Sequence, residues 1–363
     1  MVTKQNIVDT ILKNKISHQI NSSANAFASS NIALCKYWGK RNSELNLPVT
    51  NSLSISLNEY GTHITLNQTN HTIDELSINQ QTIDPIHPIA KRLTQFLNLF
   101  RPHPNFMFNI NSRSTIPIAA GLASSASAFA ALVQALDQFF SWGCNLTELS
   151  ILARLGSGSA CRSLWPSFVE WQKGQRDDGM DSHGIPLDDA WDDLCLAIVM
   201  IDSGTKPISS REAMANTIAT SPLYRAWPSC VDEHLPQIKT AIREKDIEKL
   251  GQTAEQNALA MHATMLASNP SIMYYQTETI IAMQRVWQCR HDHIPVYFTQ
   301  DAGANLKLLF TKDHLKDVLE RFPNAWRCHS CPVLESTGRG LHTHETTELE
   351  QRYNIQNHKK TSD

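Results

Sequence analysis

The sequence lacks the features that mark membrane, secreted and nucleic-acid-binding proteins. No apolar run in its 363 residues approaches the roughly 18–20 residues that a transmembrane helix needs. The N-terminal stretch MVTKQNIVDTILKNKISHQI has no continuous apolar segment, so we expect an appended amphipathic helix and no secretory signal. The net charge of −3 gives no general attraction to nucleic acid or anionic membranes. Any anionic ligand must therefore be held by locally placed lysines and arginines.

Three common catalytic signatures are also missing. The chain has no Gly-Lys-Ser/Thr ending of a P-loop, no G-x-G-x-x-G dinucleotide motif and no G-x-S-x-G nucleophile elbow. The eight cysteines are scattered, which favours free thiols in the cytoplasm. For the tight pair Cys328 and Cys331, a loop with two thiols is favoured over a zinc site completed by His342 and His344.

The composition indicates a folded protein of two domains. Hydrophobic residues make up 41% and charged residues 18%, and the length exceeds that of one ordinary core. Alternation over 51–69 predicts a hairpin that turns at Glu59, Tyr60 and Gly61. The pattern further predicts strands around 106–110, 194–202, 295–300 and 306–310, with helices starting after the loop at 117 and lying near 233–250 and 272–289.

The uncharged stretch PIAAGLASSASAF, residues 117–129, joins a strand to a helix. A small-residue loop before a helix leaves backbone N–H groups free at the positive end of the helix dipole, where phosphate binds well. Gly121 allows close approach of a ligand, and Ser124 or Ser125 can contact phosphate or a metal ion. A serine-capped helix without a ligand explains the local pattern about equally well.

Two further stretches concentrate polar groups. KYWGKR places Lys36, Lys40 and Arg41 together and suits a polyanion, although a solvated basic strand end fits as well. GSGSACR sets two serine hydroxyls near Arg162 and suits a carboxylate or diphosphate, although a plain turn fits too. In the second half, Asp301 follows a predicted strand, where a carboxylate serves either in catalysis or in forming a turn.

The order of these motifs resembles the diphosphomevalonate decarboxylase family of the GHMP kinase superfamily. The shared stretches are NIALCKYWGKRNSELNLPVTNSLSISL, GLASSASAFAAL, GSGSACRSLWPSFVEWQKG, ATSPL, HAT and DAGAN. The resemblance covers roughly residues 24–312. The family usually has DAGPN where this chain has DAGAN, so Ala304 loosens a turn that keeps Asp301 and Asn305.

The resemblance implies an α/β (α+β) fold of two domains with the active site in the cleft between them. The N-terminal domain, residues 24–190, would hold a mixed sheet and bind nucleotide and substrate, and the C-terminal domain, residues 191–334, would be ferredoxin-like. Residues 1–23 would be an extension and 335–363 a polar tail. It also implies a homodimer with small-molecule substrates. The cysteines and the net charge add the expectation of a cytoplasmic protein with no nucleic-acid or membrane partner.

The resemblance also implies the reaction and its residues. ATP would phosphorylate the C3 hydroxyl of mevalonate 5-diphosphate, and loss of phosphate and CO2 would give isopentenyl diphosphate. Asp301, Lys36 and Arg162 would be catalytic, with Arg162 also holding the substrate carboxylate. Substrate would further contact Tyr37, Lys40, Ser157, Ser159, Ser210 and Arg211. ATP would contact Pro117, Ala120, Gly121, Leu122, Ala123, Ser124 and Ser125, with Mg²⁺ on its phosphates and possible contact from one of those serines.

Other functions stay open from the sequence alone. The chain could decarboxylate a monophosphorylated mevalonate, or be a GHMP kinase that stops at phosphorylation. A silent nucleotide-binding protein is disfavoured because the lysine, serine, arginine and aspartate positions are intact. His262, in the HAT stretch, has no assigned role, and a packed, hydrogen-bonded histidine is expected there.

Overall fold

A computed structural model describes residues 2–15, 20–116, 124–202, 204 and 208–329. Contacts place residues 1–332 in one compact unit, and the second unit, 333–363, lies outside the described residues. The described helices are α1 Lys4–Leu12, α2 Pro88–Leu97, α3 Ser124–Phe140, α4 Leu146–Gly156, α5 Ser210–Thr220, α6 Trp227–Glu244, α7 Ile247–Leu266, α8 Thr277–His291 and α9 Leu315–Arg321. The described strands are β1 Ser23–Cys35, β2 Lys40–Asn42, β3 Leu47–Pro48, β4 Ser52–Thr69, β5 Glu75–Ile78, β6 Gln81–Ile83, β7 Met107–Ser114, β8 Phe168–Trp171, β9 Gly184–Pro186, β10 Leu194–Val199, β11 Tyr297–Gln300, β12 Leu306–Thr311 and β13 Trp326–His329.

The first half of the chain builds a mixed sheet. Its strands follow the order β6-β5-β7-β4-β8-β9, and β1 pairs with β4 outside this path. The β5–β7 pair is parallel and the other pairs are antiparallel. Helix α3 covers β1 and β4 with an apolar face at helical spacing, as the sequence predicts. This layer places Ser30 of β1 and Ser157, just after α4, beside the first turn of α3.

The predicted hairpin over 51–69 is wrong, because β4 runs through the proposed turn as one strand of 18 residues. An irregularity in its pairing with β1, between Ser29 and Asn31, absorbs the extra residues. Gly61 is needed for close packing and not for a turn. A Cβ there would lie 2.1 Å from the carbonyl oxygen of Ala28.

The second half builds a four-stranded antiparallel sheet in the order β11-β12-β10-β13. This is the ferredoxin-like order, with α5 to α8 between β10 and β11 and α9 between β12 and β13. The predicted strands within 194–202, 295–300 and 306–310 are confirmed. The helix predicted near 233–250 is wrong in its bounds: Lys245 has φ of 54°, and Asp246 caps the separate helix α7.

The two sheets share apolar packing. One buried cluster joins Ile32 and Leu53 of the first sheet to Leu196 and Ile198 of the second. The chain passes between the sheets after β9 and before β10, and the predicted boundary at 190/191 lies in this connection. The N-terminal extension contains the expected amphipathic helix, because α1 buries Ile7, Val8, Ile11 and Leu12; Ile16 lies outside the described residues.

Candidate active site

The structure brings Lys36 and Asp301 together, although 265 residues separate them. Lys36 follows the end of β1, and Asp301 follows β11. The Lys36 Nζ donates to Oδ1 of Asp301 at 2.8 Å and to the carbonyl oxygen of Ala33 at 2.8 Å. Lys36 is 1% exposed, whereas the Asp301 side chain is 30% exposed. The ion pair therefore has a buried cation and a carboxylate that a ligand can reach.

Burial also makes the Lys36 ammonium easier to deprotonate. Burial lowers the pKa of Lys36 to about 8, against the opposing effect of Asp301. Two nearby cations, Lys307 and Arg162, lower that pKa further. Lys36 thus carries its charge at neutral pH and loses it in mildly alkaline solution.

Arg162 is a buried cation with neutral partners. It ends a short 3₁₀ helix, Gly158–Arg162, and is 2% exposed. Its guanidinium donates to Ser54 Oγ at 2.9 Å, Ser52 Oγ at 2.5 Å and Asn31 Oδ1 at 3.4 Å. None of the ion pairs in the described part of the chain includes it. Because a buried guanidinium strongly favours a charged partner, this arrangement suits an incoming carboxylate.

Tyr37 supplies an unpartnered polar group close by. Its hydroxyl is buried and, within the described residues, has no hydrogen-bond partner. Its ring meets Trp171 edge-on at 4.6 Å, and a Cβ on Gly158 would lie 3.1 Å from its hydroxyl oxygen. Burial raises the pKa of Tyr37, so the phenol stays neutral and able to donate. A buried donor without an acceptor is costly, and a ligand oxygen would satisfy it.

Four cations gather beside this pocket. Lys40, predicted from sequence, donates to Asn46 Oδ1 at 2.7 Å, and burial lowers its pKa to about 8. Three further cations, Arg211, Arg92 and Lys4, lower that pKa in the same direction. Arg92, on α2, donates to the carbonyl oxygen of the last residue of α4 at 2.7 Å. Mutual repulsion among these groups, which we name the cationic cluster, favours a polyanion.

The structure describes the helical end of the predicted phosphate loop. Pro117, Ala120, Gly121, Leu122 and Ala123 lie outside the described residues, as does the side chain of Ser124. Ser124 begins the 17-residue helix α3. The Ser125 and Ser157 hydroxyl oxygens lie 3.2 Å apart. The predicted nucleotide end and the predicted substrate end of the site are therefore in direct contact.

Two family models match the chain in the order of its two sheets. The diphosphomevalonate decarboxylase-like N-terminal domain matches residues 28–184, and the mevalonate 5-diphosphate decarboxylase C-terminal domain matches residues 196–363. The chain belongs to the diphosphomevalonate decarboxylase family. The predicted family and fold class are thereby confirmed.

Relatives and solved structures of the family agree with this assignment. The diphosphomevalonate decarboxylase of Bos taurus is 34% identical over 330 residues, which cover 85% of this chain and 80% of that protein. A crystal structure of mevalonate diphosphate decarboxylase from Staphylococcus aureus superposes with a TM-score of 0.78 and 37% identity, covering 83% of this chain and 92% of that one. The structure named "MDDEF in complex with MVAPP, AMPPCP and Magnesium" gives a TM-score of 0.77 and 35% identity, with coverage of 86% and 99%.

Several residues of this family member's pocket were missed by sequence reasoning. Asn31 lies within a quoted motif, where its side chain also donates to Ser163 Oγ at 2.8 Å. Arg92, Lys4 and Lys307 lie outside the short motifs, so no local signal separates them from ordinary surface or strand lysines and arginines. Their positions depend on packing between distant elements.

The remaining predicted residues have plain outcomes. Ser159 offers its carbonyl oxygen to the Asn31 amide at 3.3 Å, and Ser210 begins α5 with Arg211 next to it. His262 is buried and hydrogen-bonded, as expected, with its Nε2 3.1 Å from the carbonyl oxygen of Asp301.

The Cys331, His342 and His344 positions lie outside the described residues, as does the side chain of Cys328. Among described residues, no group of three or more His, Cys, Asp or Glu side chains could hold a metal, and no helix could cross a membrane.

Proposed function

We propose that this chain catalyses the ATP-dependent decarboxylation of mevalonate 5-diphosphate to isopentenyl diphosphate, ADP, phosphate and CO2. The observation that carries the proposal is the convergence of Asp301 and Lys36 in an ion pair near the buried Arg162, whose charge also interacts with Asp301. The family membership of the chain supports the same reaction. The ligands named for the related structure support the predicted substrate, ATP and Mg²⁺.

Asp301 would orient the C3 hydroxyl of the substrate. Its carboxylate is the partly exposed member of the pair, so a substrate hydroxyl can reach it. A tertiary alcohol is a very weak acid, and a carboxylate held by cations is a weak base. We therefore propose that Asp301 positions the hydroxyl and accepts its proton as the new O–P bond forms, without deprotonating it beforehand.

Lys36 would stabilise the transferring phosphoryl group. Phosphoryl transfer proceeds with little covalent help from the protein and depends on positioned charge. The Lys36 ammonium lies within hydrogen-bond distance of Asp301, so it reaches the same centre as the attacking hydroxyl. Its burial strengthens the interaction, because little water competes for the charge.

Arg162 would hold the substrate carboxylate in line for its departure. The electron pair of the breaking C–C bond forms the alkene, the C3–O bond breaks, and the phosphate leaves with its electron pair. Ser52, Ser54 and Asn31 fix the guanidinium for this contact. Electron deficiency at C3 would be relieved by the anionic phosphates nearby.

The cationic cluster would bind the diphosphate end of the substrate. Lys40, Arg92 and Arg211 come from three separate elements and carry positive charges near one another. Ser157 and Ser159 lie at the short 3₁₀ helix that ends in Arg162, and Ser210 begins α5 beside Arg211. The unpartnered Tyr37 hydroxyl supplies a further donor. Such a set matches an anion with several oxygen acceptors.

The nucleotide phosphates would lie at the start of α3, where residues 117–125 supply the predicted contacts. Ser124 or Ser125 would contact Mg²⁺ on those phosphates, and the contact of Ser125 with Ser157 would link this end to the substrate. When bound, Mg²⁺ neutralises phosphate charge. We also propose that the protein is cytoplasmic, which its free cysteines support. We propose in addition that it is a homodimer, which the family resemblance supports, and light scattering of the purified protein tests its mass.

A substrate comparison tests the activity. Purified protein with ATP and Mg²⁺ is given mevalonate 5-diphosphate or mevalonate 5-phosphate, and ADP and CO2 are measured together. We expect equal amounts of ADP and CO2 with the diphosphate. ADP without CO2 would leave only a kinase, and turnover confined to the monophosphate would assign the other decarboxylase activity.

A further inference from the structure

Lys307 is a buried lysine in the middle of the second sheet. It lies on β12, which pairs with β11 on one side and β10 on the other, and it is 1% exposed. A lysine ammonium in such a place loses its hydration and needs specific partners. The Lys307 Nζ lies 3.3 Å from Oδ2 of Asp301 and 3.3 Å from the carbonyl oxygen of Asn305.

The Asp301 carboxylate is therefore held by two ammonium groups. Lys36 contacts Oδ1 at 2.8 Å, and Lys307 contacts Oδ2 at 3.3 Å. The two lysines come from opposite halves of the chain and from different elements. If Lys36 alone paired with Asp301, any movement of Lys36 toward a ligand would leave the carboxylate without its cation.

The β12 lysine is fixed by elements that do not depend on substrate. Asn305, at the start of β12, accepts hydrogen bonds from the backbone N–H groups of Ile201 at 2.8 Å and Asp202 at 2.9 Å. The Nε2 of His262, on α7, lies 3.1 Å from the carbonyl oxygen of Asp301. Lys307 thus reaches Asp301 from a strand that is paired on both sides, and the Asp301 side chain keeps 30% of its surface exposed.

We propose that Lys307 is a positioning residue for the decarboxylase reaction. It holds the Asp301 carboxylate by its second oxygen, so that the first oxygen can exchange Lys36 for the substrate hydroxyl. Lys36 then turns to the transferring phosphoryl group, while Asp301 keeps a cation beside it. This inference deepens the proposed function and rests on it.

The role has a consequence for the charge state of Lys36. The titratable or charged groups around Lys36 are Cys35, Asp301, Lys307, Arg162 and His262. Burial raises the pKa of Cys35 to about 12 and lowers the pKa of His262 to about 3, so both are neutral near pH 8. Loss of the Lys307 charge removes repulsion from Lys36, and the pKa of Lys36 then rises.

The experiment compares K307M, which keeps the length of the side chain, with K307R, which keeps the charge. K312M, at an exposed lysine just after the same strand, is the matched control. We expect K307M to lower kcat by about tenfold to a hundredfold, the loss typical of a misplaced reacting group. KM for both substrates should stay within about threefold, because binding contacts are intact. K307R should recover most of the turnover.

The pH profile separates positioning from mere structural support. In K307M the alkaline decline of kcat/KM should move to higher pH, whereas a loss of folded protein lowers kcat/KM equally at every pH. Unchanged kcat in folded K307M would overturn the inference, and so would an unmoved alkaline decline. If K307M does not fold by circular dichroism, K307Q replaces it in the same comparison with K307R. Absence of decarboxylation by the wild-type protein would instead refute the proposed function.

Discussion

Replacement of Asp301 by asparagine is the most direct test of the site. The D301N side chain keeps its size and loses its charge, while Lys36 and Lys307 remain buried around it. The amide cannot hold both ammonium groups as a carboxylate does, and its NH₂ group competes with the substrate hydroxyl as a donor. The hydroxyl then loses its fixed acceptor at the moment of phosphoryl transfer.

The expected loss can be bounded. Removal of a positioned proton acceptor costs about 10²- to 10⁴-fold in turnover, or about 2.7–5.4 kcal/mol of transition-state stabilisation. Breaking a fully buried ion pair costs about 3–5 kcal/mol, but the partial exposure of the Asp301 side chain, 30%, reduces the expected loss of folding free energy to about 1–3 kcal/mol. The variant should therefore fold with a lower melting temperature.

The assay follows ADP and CO2 release together with ATP binding by titration. We expect ATP affinity close to that of the wild type, because the proposed nucleotide contacts are in residues 117–125 and do not include Asp301. D317N, at an exposed aspartate of α9, is the control. Loss of Asp301 also lowers the pKa of Lys36 below its present value of about 8, so the remaining activity should decline at lower pH. Near-normal turnover in folded D301N would refute the assignment.

Three other predictions follow from particular contacts. The kcat/KM for mevalonate 5-diphosphate should fall as pH rises through about 8, because the buried Lys36 of the ligand-free protein then loses its proton; kcat/KM measured from pH 6.5 to about 9.5 checks this. K36R should lack that decline because arginine stays charged. R92A should raise KM for mevalonate 5-diphosphate by about 10- to 100-fold, the value of one charge-assisted contact. K91A, on the exposed face of α2, is the control and should leave KM unchanged. A KM of R92A equal to that of the wild type would contradict the role of the cationic cluster. G61A should lower the free energy of unfolding by about 2–4 kcal/mol, since its Cβ would collide with the Ala28 carbonyl oxygen; an unchanged urea midpoint would show that β1 and β4 can separate there without cost.

Local pattern was a good guide where one short stretch decides the outcome. The buried strand within 194–202 and the helix after the small-residue loop have continuous or 3.6-residue apolar patterns, and both are present. The hairpin at Glu59-Tyr60-Gly61 failed because Gly61 serves close packing against β1. A glycine signals permissive backbone, and sequence alone does not say whether a turn or a neighbouring strand requires it.

The candidate site divides in a similar way. Asp301, Lys36 and Arg162 were named because they lie in recognisable motifs, and the fold brings Asp301 into contact with Lys36. Lys307, Arg92 and Lys4 carry no such motif. Their place in the site comes from burial and from neighbouring charges. Arg92, for example, interacts with Arg211, which lies 119 residues further along the chain.

The sequence by itself determined the family, the small-residue loop before α3, and the residue types that can serve phosphoryl transfer, because these depend on side-chain chemistry within short segments. Only the tertiary structure decided which cations lie near one another and which two ammonium groups hold Asp301. The physical reason is that electrostatic interaction depends on distance and burial, and both are set when β1, α2, α7 and β12 fold together from distant parts of the chain.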